Sequence, residues 1–232
     1  MVAIVLLTGL PAAGKTTIAT IASFKLNEIG VKNAVLDGEW VRRHVNEGIG
    51  FSREERRRHL IRATKIATLM VKSGILVLMS FIAPYRDVRK EMKELVTSEG
   101  IKFMEVYVKV SINEAIRRDP KGLYKKALTG EIKNFTGIDD PYEEPENPDL
   151  IIDTEKTAPN EAASVLVNTI LERIGPPIYF ELPIGLYNRI AKLAEKNKMN
   201  ARSYLLKIIE EAVSIKEDEE SIIEKLRQLG YA

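Results

Sequence analysis

The stretch AIVLLTGLPAAGKTTIATI, residues 3–21, decides the fold of this chain. An apolar run leads directly into Gly9-Leu-Pro-Ala-Ala-Gly14-Lys15-Thr16, which matches G-x-x-x-x-G-K-[ST], and a helical pattern follows. Glycines let such a loop curl until its backbone N–H groups point at phosphate oxygens, and the helix N-terminus adds positive potential there. The strand–loop–helix context therefore predicts a binding site for a nucleoside triphosphate.

The loop supplies the candidate nucleotide contacts. Lys15 is predicted to bridge the β- and γ-phosphates during catalysis, and the hydroxyl of Thr16 is predicted to ligate Mg²⁺. The candidate ATP-binding residues are Gly9, Leu10, Pro11, Ala12, Ala13, Gly14, Lys15, Thr16 and Thr17. The motif predicts binding of ATP or GTP and leaves the reaction undefined.

Apolar runs and helical patterns alternate outward from this stretch. The predicted strands cover residues 3–9, 34–38, 75–80, 103–110 and 150–154, and the predicted helices cover 15–29, 52–73, 85–98, 111–118 and 159–174. This alternation predicts an α/β fold, a parallel sheet with helices on both faces. Ligands of such sheets bind beyond the carboxyl ends of the strands.

Composition excludes several classes of function. The chain has 232 residues, 45% of them hydrophobic and 29% charged, which suits one α/β domain with at most a small appendage. A net charge of +2 gives no general attraction for nucleic acid. The absence of cysteine excludes disulfides, thiolate metal sites and a cysteine nucleophile. The apolar start is too short to cross a bilayer and lacks a cleavage site, so we expect a soluble, cytoplasmic protein without a membrane partner.

Carboxylates follow the second predicted strand, in Leu36-Asp37-Gly38-Glu39. Beside a phosphate loop, such groups can hold Mg²⁺ or accept the proton of an attacking hydroxyl. Simple capping of the next helix is the alternative for Asp37. Asp37 and Glu39 are accordingly candidate catalytic residues, and Asp37 is also a candidate metal ligand.

A basic helix follows Phe51. Arg56, His59 and Arg62 recur at a spacing of three, so they lie broadly on one face. A solvated basic face is the usual explanation for the three arginines at 56–58. An aromatic plate beside guanidinium groups, however, also suits a nucleotide base with its phosphate or sulfate.

The stretch 119–149, DPKGLYKKALTGEIKNFTGIDDPYEEPENPD, is rich in lysine, glycine, proline and carboxylates. That is poor material for a packed core. A loop of this length is usually functional or disordered. We therefore expect a functional segment that contributes little to the core.

Taken together, these segments resemble the adenylylsulfate kinase family. The resemblance spans roughly residues 1–155 and rests on Asp37-Gly38-Glu39 with Arg42, on Gly50-Phe51-Ser52, on the run 81–86 (FIAPYR) and above all on the stretch 119–149. It implies transfer of a phosphoryl group from ATP to the 3′-hydroxyl of adenylylsulfate, which gives 3′-phosphoadenylylsulfate in sulfate assimilation.

The resemblance also implies a role for each candidate residue. Arginines would grip the phosphosulfate and ribose, Phe51 and Phe135 would sandwich the adenine, and the backbone near Ile82 would contact the base. Lys121 would lie over the transferring phosphoryl group in a mobile lid that excludes water, and Asp37 and Glu39 would serve Mg²⁺ and the 3′-hydroxyl. The implied acceptor-binding set is Arg42, Phe51, Arg56, His59, Arg62, Ile82 and Phe135.

Three positions depart from the family pattern. Glu39 stands where many members have aspartate, and its side chain is one methylene longer. His59 stands where an asparagine normally helps to hold the acceptor, and a plain hydrogen-bonding or surface role remains open. Ala83 replaces a serine described as phosphorylated in some members; because alanine cannot be phosphorylated, we expect direct in-line transfer.

The chain beyond Pro176-Pro177 reads as a second unit, which places the kinase domain at 1–175 and an extension at 176–232. Residues 178–214 resemble a ribbon-helix-helix module, with a strand at 178–183 and two helices, and a charge run at 216–220 and a further short helix follow it. The nine Lys/Arg and nine Asp/Glu of residues 176–232 cancel, whereas DNA-binding domains are usually basic. Tyr179 and Glu181 would be the DNA-reading residues. We favour dimerisation over DNA binding and expect a homodimer.

Two other functions remain open. One is another P-loop kinase, which would phosphorylate a sugar, a shikimate-like acid or an antibiotic. Such an enzyme would need neither Phe51 nor Phe135 to stack a base. The other is a nucleotide-responsive DNA-binding regulator, in which the C-terminal unit would be the output.

Overall fold

A computed structural model describes residues 3–179 and 181–211 of the protein. Its first half alternates strands with helices: β1 Ala3–Thr8, α1 Lys15–Glu28, β2 Asn33–Asp37, α2 Gly38–His44, α3 Arg53–Lys72, β3 Leu76–Ser80 and α4 Arg86–Thr97. The chain continues with β4 Lys102–Lys109, α5 Ile112–Arg118, α6 Leu123–Leu128, β5 Leu150–Asp153, α7 Pro159–Arg173 and α8 Ile184–Lys196. The predicted strands and the five predicted helices of the first domain are confirmed to within a few residues.

The strands described form one parallel sheet in the order β2-β3-β1-β4-β5. The central strand β1 is buried on both faces, which explains why its sequence is continuously apolar and does not alternate. Parallel pairing brings the carboxyl ends of β1, β2 and β3 to one edge, so the phosphate loop, Asp37 and Ser80 meet there.

Helices cover both faces of this sheet, as predicted. Alternate residues of β1 enter different cores: Val5 and Leu7 join the cluster with α1 and α7, whereas Ile4 and Leu6 join the cluster with α3 and α4. The α/β fold class predicted from the sequence is confirmed.

Two short helices were not anticipated. Helix α2 follows β2 directly, and α6 lies within the stretch 119–149. That stretch also buries Tyr124, Ala127 and Thr136, so the expectation that it contributes little to the core was wrong at these positions. Tyr124 is 1% exposed and belongs to the cluster under α1.

The chain divides into two compact units, Met1–Tyr179 and Phe180–Ala232. In the second unit, α8 is followed by a helix over residues 201–211. The predicted strand is absent from the described residues 178, 179 and 181–183. A strand needs a partner for its ladder, and the N–H of Tyr179 bonds instead to the carbonyl of Gly30 at 2.7 Å. The charge run at 216–220 and the last predicted helix lie outside the described residues.

Among the described residues, no helix combines the length and the apolar character needed to span a membrane.

Candidate active site

The phosphate loop, residues 9–16, depends on glycine at two positions. Gly9 has φ 155°, and a Cβ there would lie 2.3 Å from the carbonyl oxygen of Val108. Gly14 adopts the left-handed conformation with φ 92° immediately before α1. Side chains at either position would distort the turn that presents the helix N-terminus.

Lys15 lies inside this loop and is only 8% exposed. Its Nζ donates to the carbonyls of Gly9 at 2.9 Å and Leu10 at 2.7 Å. Burial lowers the pKa of Lys15 to about 7, and the nearby Asp37 carboxylate acts in the opposite direction. The amine is thus held inside the curl of the phosphate loop.

Asp37 caps α2 with one carboxylate oxygen and contacts Thr16 with the other. Its Oδ1 accepts from the N–H groups of Glu39 and Trp40 at 3.0 Å each, which caps α2. Its Oδ2 accepts from Thr16 Oγ1 at 2.9 Å, and that hydroxyl also lies 2.9 Å from Ser80 Oγ. This set consists of oxygen donors alone, which suits a hard cation such as Mg²⁺.

Glu39 and Lys121 meet although 82 residues separate them in the sequence. Lys121 Nζ pairs with Glu39 Oε2, and Arg43 pairs with the other oxygen of the same carboxylate. Both Glu39 and Lys121 are substantially exposed, at 43% and 60% of their side chains. The stretch 119–149 therefore reaches Glu39, one of the two predicted catalytic carboxylates.

Two guanidinium groups lie against the ring of Phe51. Arg42 is 4.4 Å and Arg56 is 5.4 Å from the ring centroid. Arg42 also donates to the carbonyls of Ile49 and Gly50 at 3.0 and 2.8 Å. Burial and the Arg56 cation lower the pKa of Arg42. Two cations held close together beside a half-exposed aromatic ring have the chemistry that suits an anion attached to a flat base.

Arg56 joins two distant segments into what we term the acceptor clamp: Phe51, Arg56 and residues 134–140. It donates to the carbonyl of Phe51 at 2.9 Å and to that of Asn134, 78 residues away. Its side chain is 8% exposed and lies 3.8 Å from the Asp140 carboxylate. Arg57 instead pairs with Glu91 on α4, and Arg58 is exposed. The arginine run thus contains both a buried, site-facing member and solvated ones.

His59 is buried behind the clamp and is 4% exposed. Its Nδ1 lies 2.9 Å from Asn46 Nδ2, and Asn46 Oδ1 accepts from Arg62 at 3.3 Å. Burial lowers the pKa of His59 to about 4, assisted by the Arg42 and Arg56 cations and opposed by a hydrogen bond with the Gly38 backbone. The ring is therefore neutral, and Arg62 connects to it through Asn46.

Phe135 packs against Tyr124 in an edge-to-face contact, with ring centroids 5.0 Å apart. The turn that carries Phe135 is fixed by Asp139, whose carboxylate accepts from the N–H groups of Asn134 at 2.7 Å and Phe135 at 2.6 Å. Gly137 approaches the phosphate loop closely, since a Cβ there would lie 2.9 Å from Leu10. This part of the stretch 119–149 is consequently ordered against the nucleotide site.

Ile82 lies at the end of β3, where its carbonyl accepts from Thr8 Oγ1 at 2.7 Å. Ala83 is buried with φ 44°, and its carbonyl accepts from Arg89 at 2.7 Å. These bonds fix the backbone between the phosphate loop and the candidate acceptor site.

Several residues of the site were not identified from the sequence. Asp140 accepts from Tyr85 at 2.7 Å, and Arg89 joins Glu105 to the carbonyl of Glu143. Asn46 has no periodic pattern around it that would indicate its burial. The only sequence signal for Asp140 and Glu143 was their place in the carboxylate-rich part of the stretch 119–149.

A phosphate loop between β1 and α1, in a parallel sheet of this strand order, places the protein among the P-loop kinases that phosphorylate small molecules. The chain belongs to the adenylylsulfate kinase family, because its residues 1–153 match the family described as adenylylsulphate kinase. Over 167 residues it is 53% identical to a probable adenylyl-sulfate kinase of Aeropyrum pernix, covering 72% of this chain and 91% of that protein.

Solved structures agree with this assignment. An APS kinase of Mycobacterium tuberculosis, solved with AMPPNP and APS, is 38% identical with a TM-score of 0.71 and covers 73% of this chain and 97% of its own. A hexameric APS kinase from Thiobacillus denitrificans is 30% identical with a TM-score of 0.55, covering 73% of this chain and 28% of its own. The family and the kinase activity predicted from the sequence are confirmed.

Proposed function

We propose that this protein transfers the γ-phosphoryl group of ATP directly to the 3′-hydroxyl of adenylylsulfate. The observation that carries the proposal is the acceptor clamp: two guanidinium groups flank Phe51, and one of them ties Phe51 to the segment bearing Phe135. An adenine base with an attached phosphosulfate needs this combination of aromatic surface and paired cations. A kinase for a sugar or a shikimate-like acid has no such need.

The nucleotide is assigned to the phosphate loop, residues Gly9 to Thr17. Backbone N–H groups and Lys15 bind its phosphates there. Thr16 and Asp37 would hold Mg²⁺, their oxygens being 2.9 Å apart; a bound ion would neutralise negative charge on the phosphate oxygens. Such an ion takes most of its remaining ligands from phosphates and water, so two protein oxygens suffice.

Adenylylsulfate is assigned to the acceptor clamp. Phe51 and Phe135 hold the adenine, and Arg42 and Arg56 bind the phosphosulfate, which relieves the repulsion between these two cations. Ile82 contributes backbone at the edge of the pocket. Arg62 and His59 support this arrangement through Asn46.

Transfer then depends mainly on positioning and charge. Glu39 accepts the proton of the attacking hydroxyl, while Asp37 remains hydrogen-bonded to Thr16. Lys121, which pairs with Glu39, is placed to move onto the transferring phosphoryl group. With Ala83 in place of a phosphorylatable serine, the phosphoryl group passes in line from one nucleotide to the other.

An assay of ADP formation with and without adenylylsulfate tests this function. We expect rapid ADP release with ATP, Mg²⁺ and adenylylsulfate, and slow release when AMP replaces adenylylsulfate, since AMP keeps the base and lacks the sulfate. Equal rates with the two acceptors, or a rate independent of any acceptor, would contradict the proposal.

We further propose that residues 176–232 form a dimerisation extension of the kinase domain at 1–175, and that the enzyme acts in the cytoplasm. Support for dimerisation comes from the two amphipathic helices at 184–196 and 201–211 and from the balanced charge of this segment. Sedimentation of the full chain and of a 1–179 truncation tests it. The full chain should be a dimer and the truncation a smaller species, whereas equal assembly states would assign dimerisation elsewhere.

A further inference from the structure

Tyr124 occupies an unusual position between the two candidate substrate sites. Its side chain is nearly fully buried, and its ring receives the edge-to-face contact with Phe135. Its hydroxyl donates to the carbonyl of Pro11, inside the phosphate loop, at 3.1 Å. A single side chain therefore touches the acceptor clamp at one end and the nucleotide loop at the other.

The bond to Pro11 fixes more than one carbonyl. A peptide group is planar and trans, so the carbonyl of Pro11 and the N–H of Ala12 point in opposite directions. Ala12 also has φ 61°, a left-handed conformation that a non-glycine residue holds only under constraint. Because Tyr124 bonds to the Pro11 carbonyl, the Ala12 N–H of the same peptide points away from Tyr124.

The backbone of Tyr124 is held in place at the start of α6. The carboxylate of Asp119 accepts from the N–H groups of Tyr124 at 3.1 Å and Lys125 at 3.0 Å, which fixes the start of α6. Burial raises the pKa of Tyr124, so its hydroxyl keeps the proton that it donates. The side chain therefore extends from a fixed backbone to two contacts, the Phe135 ring and the Pro11 carbonyl, and a restraint at one contact restricts the other.

We propose that Tyr124 is a positioning residue that couples the two substrate sites, so that occupation of the phosphate loop strengthens binding of adenylylsulfate at Phe135, and the reverse. A nucleotide that fixes the Pro11–Ala12 peptide also fixes Tyr124 and hence the surface on which Phe135 rests. Because coupling between two binding sites is reciprocal, adenylylsulfate must strengthen nucleotide binding by the same factor. This inference rests on the proposed acceptor.

Calorimetry measures the coupling as the ratio of two dissociation constants for adenylylsulfate, one without and one with saturating AMPPNP and Mg²⁺. In the native protein we expect a ratio of about five or more, the lower end of typical coupling between sites. Tyr124→Phe keeps the ring and removes one hydrogen bond, which is enough to reduce the ratio to near one. Fluorescence-monitored melting of each variant establishes that it is folded.

Tyr142→Phe is the matched control. Tyr142 lies in the same stretch and its hydroxyl is 3.0 Å from Thr8 Oγ1, at the end of β1 rather than in the loop. It should retain the native ratio. If Tyr124→Phe does not fold, Phe135→Leu breaks the same connection from the other end and must also lower the ratio.

Four results would overturn the coupling: a native ratio of one, an unchanged ratio in Tyr124→Phe, an unchanged ratio in Phe135→Leu, or an equal loss in Tyr142→Phe. Failure of the native protein to bind adenylylsulfate under either condition would instead refute the proposed acceptor, together with the inference that depends on it. The two failures are therefore distinguishable.

Discussion

The phosphate loop and the acceptor clamp are built in opposite ways. Lys15 bonds to carbonyls five and six residues away, whereas Arg56 bonds to a carbonyl 78 residues away. The first site is completed by one strand, one turn and one helix. The second exists only when the basic helix α3 and the stretch 119–149 have docked on the same sheet. A substitution in the loop should therefore lower activity without lowering the stability of the fold. A substitution in the clamp should lower both.

The largest effect is expected from Lys15→Met. Removing a cation that meets the transferring phosphate should lower kcat/KM by about 10²–10³-fold. The free energy of unfolding should not fall, because burial of this amine already works against its charged form. Steady-state kinetics and urea denaturation check the two halves of this prediction.

Lys25→Met is the control for that change. Lys25 lies on the same helix, ten residues and about 15 Å further along it. It should leave kcat/KM near the native value. A large fall in the free energy of unfolding in Lys15→Met would contradict the distinction between loop and clamp, since the loop would then depend on Lys15 for its fold.

Arg56→Ala is expected to have the next largest effect and to combine both kinds of damage. It removes the buried cation beside the Asp140 carboxylate and the donor to two carbonyls, so the free energy of unfolding should fall by about 3 kcal/mol. The loss of hydrogen bonds from Arg56 to the charged phosphosulfate should also raise the KM for adenylylsulfate by about 10- to 100-fold.

The matched deletion is Arg58→Ala, two residues further along the same helix and exposed. It should change the free energy of unfolding by no more than about 0.5 kcal/mol. Urea denaturation measures the free energy of unfolding of both variants. An equal loss in the two would mean that the clamp does not depend on the buried arginine.

The same contrast explains how far the sequence could be interpreted. The phosphate loop and the strands of the sheet follow from neighbouring residues and were predicted, and capping was one of the alternatives considered for Asp37. Asp140, Tyr85 and Asn46 were not, because their hydrogen-bond partners lie 13 to 55 residues away and no local pattern marks them. Helix α6 was missed for a related reason. Its lysines and flanking glycines indicate a loop, and the burial of Tyr124 that stabilises it is set by the distant core.

The smallest effect concerns His59 and should appear as a dependence of stability on pH. Its pKa is lowered to about 4 in the folded protein, against an ordinary value of 6.5. As the pH falls below 6.5, His59 becomes protonated in the unfolded chain but stays neutral in the folded protein. The free energy of unfolding therefore falls until the pH approaches 4. At pH 5 the loss attributable to His59 should be about 2 kcal/mol relative to pH 7.

Urea denaturation of the native protein and of His59→Asn at both pH values isolates this contribution, since the exposed His44 is common to both. Asparagine cannot take up the proton, so between pH 7 and pH 5 the free energy of unfolding of the variant should fall by about 2 kcal/mol less than that of the native protein. An identical fall in the free energy of unfolding in the two proteins would show that the His59 ring is hydrated in solution. The acceptor clamp would then depend less on tertiary burial than its long-range contacts indicate.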